Sequence, residues 1–233
     1  MIEIRNLVKN YNGTAVVDIP NLFIDKGETI GLVGNNGAGK TTLFRLTLDL
    51  IRADKGEVIS KGENVAGAEH WKNYTASFLD EGFLIEYLSP EEYFYFIGSL
   101  HGINKADIDV ELLQYADFFN DEILNKKKYI RDLSKGNQCK VGIIASLLQN
   151  PEILLLDEPF ANIDPSTQIR LKNLIKDISA KKQITTIVSS HDLNHVTDVS
   201  QRILLMEKGK IIKDIQTGSN TLLELEEYFS VMQ

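Results

Sequence analysis

The chain has 233 residues, 43% hydrophobic and 25% charged, enough apolar content for one full-sized core. A net charge of −8 argues against a large nucleic-acid surface, and the single Cys139 excludes an internal disulfide or a cysteine-cluster metal site. No stretch approaches the roughly 20 consecutive apolar residues that span a bilayer, and Met1-Ile2-Glu3-Ile4 offers neither a basic leader nor an apolar signal core, so a cytoplasmic chain is expected.

Residues 2–7 alternate apolar and polar side chains, and Asn12-Gly13 separates them from a second strand at 14–17, with another at 22–24. Tyr11 falls on a loop of this layer; a tyrosine there can stack on a purine, but taken alone it reads first as a surface turn aromatic. Lys26-Gly27-Glu28 then turns the chain into the apolar run 29–33, a buried strand. It hands over to Gly34-Asn35-Asn36-Gly37-Ala38-Gly39-Lys40-Thr41, a full match to G-x-x-x-x-G-K-[ST], followed by a helix over 42–50. Glycines let backbone N–H groups converge on phosphates without Cβ atoms in the way, and the helix points its positive end at the same anion. The stretch predicts binding of a nucleoside triphosphate, Lys40 reaching the β- and γ-phosphates and Thr41 holding Mg²⁺. Thr42 completes the phosphate-facing set.

Strands are predicted at 56–62 and 74–79, after which Asp80-Glu81-Gly82 breaks the pattern. Ser89-Pro90-Glu91-Glu92 supplies an N-cap, a first-turn proline and a capping-box acid for a helix to Leu100, and 108–119 reads as a second helix. Residues 83–150 thus form a mostly helical region. The apolar run 153–156 ends in Asp157-Glu158, a central parallel strand with two acids at its carboxyl end. Asp164-Pro165 starts a helix to about 181, strand 184–189 leads to His191, and strands at 202–207 and 210–215 flank Lys208-Gly209. Strands alternating with helices give a doubly wound α/β sheet whose site lies at the strand ends. The division expected is a single domain, with core residues 1–82 and 151–218, the helical region 83–150, and a short C-terminal helix within 219–233.

Asp157 is placed to share a Mg²⁺ with Thr41, and Glu158 to orient and deprotonate an attacking water. His191, also at a strand end, can contact the γ-phosphate or serve the fold. Ser134, in Leu133-Ser134-Lys135-Gly136-Asn137, is an N-cap for a helix to Gln149; whether Ser134 and the Gly136 N–H also meet a phosphate is left open by local physics.

This set, in this order from Tyr11 to about Ile215, resembles the ATP-binding cassette family. The resemblance implies a P-loop NTPase fold of that type, with a mostly parallel core, an antiparallel β layer and a helical subdomain. It implies an ATPase working with ATP and Mg²⁺ as a dimer of two such domains, the Ser134-Gly136 helix of one closing on the ATP of the other. Tyr11 would then stack on adenine, Asp157 serve Mg²⁺, Glu158 act as general base, His191 sense the γ-phosphate, and Asp164 sit at the dimer seam. The sequence departs from the family pattern in Lys135 and Asn137 where glycine and glutamine are usual, in Cys139 where glutamine is usual, and in Asp80-Glu81 where a glutamine follows the strand. Glu81 is assigned there as a Mg²⁺ ligand. These features resemble the cytoplasmic ATPases of simple bacterial exporters with a separate permease, docked by the helical region and residues 80–88. No nucleic-acid partner is expected. The competing class is a soluble cassette ATPase acting on DNA or the ribosome.

Overall fold

In a computed structural model, residues 1–79 and 84–231 are described; the Asp80-Glu81-Gly82-Phe83 segment, and with it the expected Mg²⁺ ligand Glu81, lies outside them. A six-stranded sheet has the order β10-β9-β3-β8-β7-β6, where β3 is Thr29–Val33, β6 Thr75–Leu79, β7 Ile153–Asp157, β8 Thr185–Ser190, β9 Arg202–Glu207 and β10 Lys210–Gln216. All neighbours pair in parallel except β10 with β9. A four-stranded antiparallel sheet has the order β2-β1-β4-β5, built from β1 (Ile2–Tyr11), β2 (Thr14–Ile24), β4 (Lys55–Ser60) and β5 (Glu63–Asn64).

The apolar run of β7 is continuous because both faces of the strand are covered. Leu154 and Leu156 join a core with Phe94, Ile108 and Ile144 from the helical side. Ile153 and Leu155 join another with Ile4, Ile19 and Phe44, which ties the antiparallel layer to α1 (Lys40–Thr47). Alternate residues of one strand therefore weld the two layers together.

Two expectations about the antiparallel layer are corrected. Segments 14–17 and 22–24 belong to one strand, β2, despite Pro20. β2 lies at the sheet edge, where a missing N–H costs no ladder bond, and Pro20 sits at a gap in the pairing opposite Asn6, whose φ is 48°. Tyr11 closes β1, paired with Thr14, instead of lying in a loop.

Between β6 and β7 run α2 (Pro90–Leu100), α3 (Lys105–Leu113), α4 (Ala116–Phe119) and α5 (Lys135–Leu147). α2 has its capping box: the Ser89 side chain accepts from the Glu92 N–H and the Glu92 carboxylate from the Ser89 N–H. The helix expected over 108–119 is two helices. Asn104 caps α3 early by accepting from the Asp107 N–H, and Tyr115 leaves helical geometry at ψ 12° while its ring is buried. α5 lies on β6 so closely that a Cβ on Gly142 would stand 2.4 Å from the Phe78 ring. After β7 come α6 (Pro165–Lys182), α7 (Leu193–Val199) and α8 (Thr221–Val231).

Candidate active site

Every residue of β3 is buried, so the following loop starts from a fixed base. Gly37 and Gly39 adopt φ of 82° and 111°, a region that side chains disfavour. A Cβ on Gly34 would lie 2.3 Å from the Met206 carbonyl oxygen and one on Gly39 the same distance from that of Val16. The loop Asn35-Asn36-Gly37-Ala38 is closed by the Ala38 N–H donating to the Asn35 carbonyl at 3.0 Å. α1 begins at Lys40, whose buried Nζ donates to the Gly34 carbonyl at 2.7 Å. Thr41 and Thr42 follow in the first turn of the helix.

The carboxyl ends of β7 and β8 bring the acids to this loop. Thr41 Oγ1 donates to Asp157 Oδ2 at 2.6 Å. Ser189 of β8 donates to Asp157 Oδ1 and accepts from the Glu158 N–H at 2.9 Å. Glu158 takes a left-handed backbone, φ 46°, which is costly for a residue with a side chain. Its carboxylate lies between two groups: Oε1 is 3.3 Å from Lys40 Nζ and otherwise has no hydrogen-bond partner, while Oε2 is 2.9 Å from His191 Nδ1 and accepts from the His191 N–H at 3.3 Å. A carboxylate at Nδ1 calls for the proton on that nitrogen, leaving Nε2 as the ring atom Glu158 does not engage.

Lys40, Thr41, Asp157, Glu158 and His191 are thus joined in one network. Ser189, which the sequence patterning passes over, ties the two acids together; it is one of four hydroxyl residues in the fully buried β8, so only its place two residues before His191 marked it out.

The remaining candidates lie elsewhere. Ser134 caps α5, accepting from the Asn137 N–H at 3.3 Å, and a Cβ on Gly136 would stand 3.3 Å from Ile163 Cγ2. Among the described residues no hydrogen bond joins Ser134 or Gly136 to the phosphate loop. Asp164 caps α6, accepting from the Thr167 N–H at 3.0 Å and the hydroxyls of Ser166 and Thr167 at 2.6 Å. Those bonds, the Ser166 hydroxyl foremost, hold its carboxyl well below the usual range. Tyr11 is half exposed, with Lys9 Nζ 5.6 Å from its ring centroid. Cys139 is buried in α5, its Sγ 3.4 Å from the Pro159 carbonyl oxygen.

A nucleotide-loop sheet with acids at the neighbouring strand ends, beside an antiparallel layer and a helical region, defines a P-loop ATPase of the cassette class. The family model for the ABC transporter matches residues 17–161. The uncharacterized ABC transporter ATP-binding protein YhcH of Bacillus subtilis is 30% identical over 240 residues, covering 98% of this chain and 74% of YhcH. The bacitracin transport ATP-binding protein BcrA of Enterococcus faecalis is 29% identical over 222 residues, 92% of this chain and 69% of BcrA. The fold matches the dimeric, post-hydrolysis ATP-binding cassette MJ0796, bound to ADP and Pi, with a TM-score of 0.84 at 21% identity, covering 94% of this chain and all of that one. The chain belongs to the ABC transporter family, as one of its ATP-binding proteins, and is an ATPase.

Proposed function

We propose that this chain is the ATPase subunit of an ABC transporter that drives export through a separate membrane permease, two cassettes closing around ATP. The observation that carries the hydrolytic reading is the position of Glu158, strained at φ 46° and set between Lys40 and His191; strain of this kind persists where the surroundings over-determine it, and it gathers at active sites.

The residues fit the nucleotide and its metal. The loop is a cradle that Cβ atoms would fill at Gly34 and Gly39, with the Lys40 ammonium fixed at its edge. Thr41 and Asp157 together are the oxygen donors a hard cation takes. Among the described residues no cluster of three or more His, Cys, Asp or Glu could hold a metal alone, so Mg²⁺ would take its other ligands from water and phosphate. When bound, it supplies charge neutralisation at the β- and γ-phosphate oxygens.

Gly34, Asn35, Asn36, Gly37, Ala38, Gly39 and Thr42 would hold the phosphates, with Lys40 countering their charge. Glu158 would accept the proton of the attacking water, and His191 would hold Glu158 in line while contacting the γ-phosphate. Tyr11, exposed at the end of β1, would stack on adenine. Ser134 and Gly136 would close on the ATP of a second copy, with Asp164 at the seam. This division is supported by the missing link between Ser134 and the chain's own cradle.

The permease would dock at a cavity of about 430 Å³ between the sheet and the helical region, lined by Leu50, Trp71, Phe78, Leu84 and Tyr93. Among the described residues no helix is long and apolar enough to cross a membrane, which fits a peripheral place on the cytoplasmic face. Export is supported by Lys135 and by the acids at 80–81, features resembling exporter ATPases. The test is Glu158→Gln with Mg-ATP on size-exclusion chromatography. A stable dimer with hydrolysis reduced at least about 100-fold is expected; near-normal turnover with no dimer would overturn the reading.

A further inference from the structure

The phosphate loop has a back side that faces away from the nucleotide, and it is packed on the end of β9. Met206 leaves no space for a Cβ on Gly34, and Met206 Cε stands 2.8 Å from where a Cβ on Gly39 would be. Beyond it, Lys208 and Gly209 turn the chain with φ of 45° and 83°. The Gly209 N–H donates to the Ala38 carbonyl of the loop at 2.9 Å, and the Gly209 carbonyl accepts from the Asp18 N–H at 2.7 Å. The loop's position is therefore registered by residues 206–209.

That turn is held in its own right by the last helix. Tyr228 of α8 donates its hydroxyl to Glu207 Oε2 at 2.7 Å, and Lys213 Nζ stands 5.1 Å from the Tyr228 ring centroid. α8 itself is anchored by buried Leu225, clustered with Leu205 and with Val33, the residue immediately before Gly34. Between helix and loop lies a cavity of about 210 Å³, lined by Asn35, Gly37, Ala38, Met206, Tyr228 and Phe229. That space separates the loop from α8, so among the described residues the helix meets the loop's back side through the 206–209 turn.

We infer that the Tyr228–Glu207 hydrogen bond is a latch by which the C-terminal helix positions the phosphate loop from behind and so sets affinity for nucleotide. Neither side chain needs to touch ATP; both act through the Gly209–Ala38 backbone bond. Glu207 and Tyr228 are positioning residues, and α8 belongs functionally to the nucleotide site although the chain reaches it last.

The test uses the full chain with Tyr228→Phe, which keeps the ring and loses the hydroxyl, Glu207→Leu, which loses the acceptor, and Glu207→Gln, whose amide oxygen still accepts. Affinity for a fluorescent ATP analogue is measured alongside amide hydrogen exchange at residues 35–39 and the melting temperature. Tyr228→Phe and Glu207→Leu are expected to weaken binding roughly three- to tenfold, the range a lost hydrogen bond spans, and to speed exchange in the loop. Glu207→Gln restores both. In ATP hydrolysis the effect falls on KM more than on kcat. Folded Tyr228→Phe that binds the analogue and exchanges like the parent chain, whatever its melting temperature, would overturn the latch, as would Glu207→Gln as weak as Glu207→Leu.

Discussion

Two ends of helices in this molecule face phosphate chemistry in opposite ways. At the start of α1, every polar group that matters is tied within the chain: Lys40 to Gly34 and Glu158, Thr41 to Asp157, Asp157 and Glu158 to Ser189, Glu158 to His191. At the start of α5, the Ser134 side chain makes, among the described residues, only the hydrogen bond that caps its helix. A helix N-terminus favours anions in general, but among the described residues only the start of α1 has lysine, acids and histidine joined around it. On the proposed function, the network around α1 would be the hydrolytic half of a site and the start of α5 the half that a head-to-tail pair would bring to it.

The sharpest way to break the inner half is Ser189→Ala. It leaves one Asp157 oxygen and the Glu158 N–H without their partner, at about 1–3 kcal/mol for a buried group. Hydrolysis is expected to fall about tenfold or more, each 1.4 kcal/mol lost from the transition state being a factor of ten, with ATP affinity changed less. Equal losses in binding and turnover, measured by steady-state kinetics and nucleotide titration, would mean that Ser189 serves the fold alone.

A smaller effect sits next to the outer edge of the network. His195 stacks on Phe160 at 4.7 Å between centroids and lies 3.5 Å from Asp192; burial pushes its pKa down, partly offset by Asp192. The unfolded chain takes up this proton near pH 6.5 while the folded chain resists it. The stabilisation is therefore complete above that pH and is lost as pH falls towards the folded value. The melting temperature of the parent chain should fall between pH 7.5 and 5.5 more steeply than that of His195→Gln. Parallel profiles would show that His195 carries none of the dependence.

Much of the inner half was legible because its chemistry is local. The glycine spacing of the loop, the two acids ending the 153–156 run and the histidine ending the next strand each declare themselves within ten residues. The fold followed from the same patterns, since a continuous apolar run marks a strand covered on both sides. The sequence pattern failed where neighbours in space decide: 14–17 and 22–24 read as two strands where the structure has the single edge strand β2, Tyr115 interrupts a helix that periodicity carries through, and Ser189 and Tyr228 bond to partners 31 and 21 residues away. The strain at Glu158 has no signature in the sequence, because a left-handed glutamate is imposed by what holds it.

On the proposed function a complete site takes Lys40 from one chain and Ser134 from another. Lys40→Ala and Ser134→Arg, each purified alone, should hydrolyse ATP at background rates, while a mixture forms some dimers in which one site has both residues intact. The mixture is expected to regain turnover well above the sum of its parts. A Ser134→Arg chain as active as the parent, or a mixture of co-purifying chains that stays inactive, would contradict it.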